Sequence, residues 1–146
     1  FRDRRKGILL STAAGPLSNL AQAVVFALIL RFVIQAGGGL EPFLDRQVHP
    51  FFYAAFLLCY LAVLINVALA VFNCLPLYPL DGFHITLQLL PPQSQPGFAS
   101  MATYGPFLIL GLIVVQHAAD VDILGRLIMP PVNFLLDYVT GLKAVA

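Results

Sequence analysis

Residues 52–75 read FYAAFLLCYLAVLINVALAVFNCL, and residues 76–82 continue as PLYPLDG. The first stretch is apolar for 24 residues with only Asn66 and Asn73 as amides. Crossing a bilayer as a helix takes about 20 such residues. The second stretch stops that helix with two prolines and a glycine. It also places a carboxylate, Asp81, among apolar neighbours. Asn66 and Asn73 are seven apart, so they share one helical face, expected to point into a bundle.

The rest of the chain repeats this theme. Of 146 residues, 60% are hydrophobic and 10% charged. Soluble domains sit near 45–50% and about 25%. So few charges leave too little polar surface for a soluble globule of this size. That excludes a soluble enzyme, a disordered tail and a nucleic-acid module. Charge-free runs separate Lys6 from Arg31, Arg46 from Asp81 and Asp81 from Asp120. The expected fold is therefore all-α: a polytopic transmembrane bundle in one membrane domain covering 1–146. Its three spans are expected at about 7–32, 52–75 and 99–119. Cys59 and Cys74 would lie roughly 22 Å apart along one helix, too far to pair.

Local signals set the details. FRDRRK, residues 1–6, reads as a cytoplasmic flank by the positive-inside rule. No signal peptide is expected, since the first apolar stretch lacks a small-residue cleavage pattern and carries Pro16, and a start at Phe1 suggests a processed, trimmed or partly traced protein. Gly15-Pro16 is expected to divide the first span, with the main helix starting at Pro16. Arg31 is expected to snorkel to the interface. The Gly-rich stretch 36–50 reads as an outer loop, and PPQSQPG (91–97) as a cytoplasmic one. Residues 123–143, interrupted by Arg126, Pro130-Pro131 and Asp137, are expected to form an interfacial helix pair or a re-entrant segment.

Asp81 has two readings. An intramembrane carboxylate is costly and is a functional candidate by default. Pro-x-Asp-Gly is also ordinary turn chemistry. AAGPLSNL, taken alone, fits a helix start with a packed asparagine.

Taken together, Ala14-Gly15-Pro16-Leu17-Ser18-Asn19 and Asn73-Cys74-Leu75-Pro76-Leu77-Tyr78-Pro79-Leu80-Asp81-Gly82 resemble the site-two protease family of intramembrane zinc metalloproteases. The tail MATYGPFLILGLIVV is similar to the compact bacterial branch. The resemblance implies that Asp81 is the third zinc ligand. It implies that Gly15, Pro16, Asn19, Asn73, Pro76, Pro79 and Gly82 position substrate around it. Asn19 and Asn73 would bond proline-freed carbonyls or an entering substrate strand. The implied partners are membrane lipids and a single-span substrate cut within its helix, or a larger membrane assembly, with no nucleic acid. The implied location is the bacterial inner membrane.

The family's H-E-x-x-H, which supplies two zinc ligands and the general base, does not occur in these 146 residues. His49, His84 and His117 include no pair at i, i+4. A catalytic zinc needs three protein ligands, so the chain alone is expected to bind none and to be inactive. His84 is expected to be interfacial rather than a ligand. Rhomboid-type and aspartyl intramembrane chemistries fit worse, since no serine sits in the required turn and only Asp81 lies within a span. Two non-proteolytic readings stay open. One is a protease-like structural subunit of a membrane complex. The other is a small transporter piece using Asp81 for ion coupling.

Overall fold

The computed structural model describes residues 2–141. They form seven α-helices: α1 (Arg2–Ala36), α2 (Glu41–Leu44), α3 (Pro50–Asn73), α4 (Asp81–Leu89), α5 (Gln95–Ser100), α6 (Gly105–Ala118) and α7 (Ile123–Thr140). A 3-10 turn, Met101–Thr103, joins α5 to α6. No strand occurs among the described residues.

Two helices, Arg5–Ala36 and Pro50–Asn73, are long and apolar enough to cross a membrane. The third expected span is not one straight helix. It is a broken pair, Gln95–Thr103 and Gly105–Ala118, bent by 58°. The described residues therefore hold two such helices, or three if the bent pair counts as one span. At 1.5 Å per residue, α6 alone measures about 21 Å, short of a hydrocarbon core near 30 Å.

The expected division at Gly15-Pro16 is absent, because α1 continues through Pro16. Proline removes one backbone hydrogen bond, here the one to Thr12 O. Breaking the helix in an apolar setting would strand several more. The loop expected over 36–50 contains the short helix α2, and the one expected over 91–97 already turns into α5 at Gln95. The C-terminal segment is not a helix pair. It is the single helix α7, running through Pro130 and Pro131.

Packing follows the sequence spacing. On α1, Ala23, Ala27, Leu30 and Ile34 are buried, one stripe at alternating steps of four and three residues. Gly15, Asn19, Ala23 and Ala27 make a small-residue ridge at steps of four, which lets neighbouring helices approach closely. Ala23 and Ala27 meet Val63 and Val67 of α3 and Val132 and Leu136 of α7 in one core. Leu30, Val33 and Ile34 meet Phe43 of α2 in a second. There Phe43 lies 5.0 Å from Phe56, centroid to centroid. The opposite face of α1 exposes Leu17, Val24, Val25, Leu28, Ile29 and Phe32, as a lipid-facing surface requires.

Arg31 does not simply snorkel. Its Nε donates to Thr140 O at 2.9 Å, tying a cation to the carbonyl end of α7. At the other end of α1, the Arg5 guanidinium donates to Gln88 O on α4. α4 thus runs back along α1 from the level of Gly15 toward Arg5. Together α3 and α4 form one interrupted pass antiparallel to α1, and Asp81 stands just past the interruption.

Candidate functional site

The interruption is built from backbone that cannot be helical. Residues 74–80 include Pro76 and Pro79, both exposed, and the Tyr78–Pro79 peptide is cis. Helix α4 starts at Asp81, with Leu80 in extended backbone before it. Asp81 is in the first turn, where a negative charge is favoured by the helix dipole. No side chain caps this helix start.

The carboxylate points instead at α1. A Cβ built on Gly15 would collide with Asp81 Oδ2 and lie 3.4 Å from its Cγ. Only glycine leaves room for the carboxylate against the helix at that position. The two motifs, 66 residues apart in sequence, therefore meet through Gly15 and Asp81. Asp81 is half-buried and makes no side-chain hydrogen bond among the described residues. A turn residue would spend its oxygens on nearby backbone N–H groups; Asp81 does not.

The neighbours of this contact are as follows. Pro16 is buried, and Asn19 is half-buried one turn further along α1. Ser18 Oγ donates to Gly15 O at 2.9 Å. Asn73 closes α3 and is half-buried. Neither Asn19 nor Asn73 makes a side-chain hydrogen bond among the described residues. Asn66, expected on the same face as Asn73, uses its amide on its own helix, donating to Ala62 O at 2.8 Å. Gly82 is buried with its Cα against the Cys74 and Leu75 carbonyls, so the first turn of α4 folds directly under the last turn of α3.

His84 lies against rings rather than beside Asp81 as a ligand. Its imidazole centroid is 6.0 Å from that of Tyr78 and 5.5 Å from that of Phe83, both edge-on. His49 caps α3, its Nδ1 accepting from Phe51 N at 3.3 Å. His117 lines an open cavity of about 350 Å³ with Gln116, Asp120, Val121 and Asp122. That cavity lies at the far end of α6 from Gly105, away from Asp81. Sequence spacing gave no hint that Gly105 packs on this loop. It is buried, and its Cα faces the Tyr78 backbone.

Residues 52–115 match Peptidase family M50. The chain is also 31% identical over 113 residues to a Bacillus subtilis (strain 168) protein named "Putative zinc metalloprotease YwhC". Both findings agree with the resemblance to site-two proteases carried by the two sequence motifs. The family match spans α3, the Asp81 loop, α4 and the bent pair, whereas Gly15–Asn19 lies outside it. The alignment with the Bacillus protein takes in 77% of this chain and 48% of that protein, so the chain spans about half the length of the curated relative it matches. No solved structure matches the chain.

The similarity to zinc metalloproteases suggests zinc, and the donor set among the described residues is incomplete for it. No three His, Cys, Asp or Glu side chains that could hold a metal ion come together among the described residues. Asp81 would supply one ligand where a catalytic zinc needs three.

Proposed function

We propose that this chain forms the part of an intramembrane zinc metalloprotease that presents Asp81 as a metal ligand. Two histidines and a general base come from an H-E-x-x-H helix outside these 146 residues, and the chain alone is inactive. The substrate is a single-span membrane protein cut within its helix. The observation that carries the reading is the Asp81 carboxylate set against Gly15, free of turn hydrogen bonds. Its depth also fits: Gly15 lies nine residues inside Lys6, about 14 Å along the helix.

In this reading the loop 74–80 keeps irregular backbone where protein covers it. The amides of Asn19, one turn along α1 from Gly15, and of Asn73, at the end of α3, make no side-chain hydrogen bond among the described residues and are available to an extended substrate strand. The basic end of α1 is cytoplasmic, the 36–50 segment is outside, and the membrane is the bacterial inner membrane. The test is cleavage of a single-span substrate by the protein carrying both this chain and an H-E-x-x-H helix. Asp81→Asn abolishes cleavage; Asp120→Asn, a carboxylate outside the site, does not.

A second reading is a non-catalytic relative serving as a structural subunit of a membrane assembly. It predicts that Asp81→Asn changes neither assembly nor activity of the complex.

A further inference from the structure

The loop that carries Asp81 is gripped on both sides by one segment. Before Asp81, the backbone of Tyr78 rests on Gly105, the first residue of α6. A Cβ on Gly105 would overlap Tyr78 O, and would lie 2.8 Å from Tyr78 Cβ and 3.0 Å from Tyr78 C. After Asp81, the ring of Phe83 stacks on Phe98 of α5, with centroids 4.7 Å apart and planes 18° apart. Tyr78 closes the circuit by meeting Phe83 edge-on at 5.6 Å. Phe83 is buried. A bend of 58° separates α5, which carries Phe98, from α6, which opens with Gly105.

We infer that the bent segment 95–118 is a clamp that fixes where the Asp81 carboxylate stands, with Gly105 as its positioning residue. This rests on the reading of Asp81 as a metal ligand. Phe98 and Gly105 touch the reacting centre only through Tyr78 and Phe83. An alanine at 105 needs Tyr78 Cβ to retreat by about 0.6 Å to reach ordinary contact, and the Tyr78 carbonyl by more. Whichever partner retreats, the clamp opens. Displacements near 1 Å at a reacting group cost about 10²-fold in rate.

A geometric readout tests this without zinc or turnover. In a background with Cys59→Ala and Cys74→Ser, the pair Gly15→Cys with Asp81→Cys reports their contact through its rate of oxidative crosslinking in membranes. Adding Gly105→Ala slows crosslinking at least about tenfold. Adding Gly111→Ala, a helix glycine with nothing within 4 Å, does not. Phe98→Ala adds no volume and releases the other arm, so it slows crosslinking as well. In the complete protease, Gly105→Ala lowers kcat toward a hundredfold while KM stays unchanged. Equal crosslinking rates in the Gly105, Phe98 and Gly111 variants would overturn the clamp. So would failure of the parent pair to crosslink. If Asp81→Asn retains cleavage while the crosslinking pattern holds, the metal-ligand reading fails and the clamp stands.

Discussion

Replacing Gly15 with alanine separates the contact's effect on the fold from its effect on the site. The new methyl would occupy the place of Asp81 Oδ2 and press on Cγ at 3.4 Å. Overpacking costs about 1–3 kcal/mol. The low end applies here, because the atoms in the way are the end of a half-buried side chain that can rotate. Alanine in a helix interior recovers about 1 kcal/mol over glycine. The two nearly cancel, so the thermal midpoint in detergent stays within a few degrees of the parent. The carboxylate must leave its place, however, and a misplacement on the order of 1 Å costs about 10²-fold in rate. The assay is cleavage of a single-span reporter by the complete protease in membranes, with the melting curve run beside it. Near-normal stability with cleavage reduced about 10- to 100-fold is expected. Full cleavage by Gly15→Ala would refute the argument that this contact places the carboxylate.

Further outcomes follow from other parts of the structure. Arg31→Met removes the guanidinium from Thr140 O and lowers stability by about 1 kcal/mol, read as faster proteolysis at the C-terminal end of α7. With Cys59 and Cys74 replaced, a cysteine at Gly38 reacts with an impermeant thiol reagent in intact cells and one at Ser94 does not; the reverse pattern overturns the orientation. The isolated 146-residue chain binds no stoichiometric zinc. One tightly held zinc per chain, lost in Asp81→Ala, would show that the ligand count is wrong.

Much of this was legible from residue order. The uncharged run around residues 52–75 marked α3, and PLYPLDG marked its end, because proline and glycine act locally. The two motifs pointed to a family and to Asp81 within it. What escaped has a common physical origin. Pro16 reads as a helix boundary by rules set in water, where freed carbonyls find solvent; in an apolar setting the helix continues. The bend at Thr103–Gly105 depends on which surface the segment must reach, and a 20-residue hydropathy pattern does not encode that. The prolines of α7 suggested a break, yet Val132, Leu136 and Thr140 bury one continuous face. The meeting of Gly15 with Asp81, and of Gly105 with Tyr78, joins residues far apart in sequence. A glycine used for close approach leaves no periodic signal.

On the proposed reading, Asp81 binds the metal once the H-E-x-x-H helix is present. X-ray absorption at the zinc edge, on the complete protein and its Asp81→Asn variant, tests it most directly. Two imidazole nitrogens plus oxygens around the metal are expected in the parent. In the variant, zinc is lost, or retained at least about tenfold more weakly with one oxygen replaced, since a neutral amide is a poorer ligand than a carboxylate. An identical first shell and identical zinc affinity in the two proteins would contradict it.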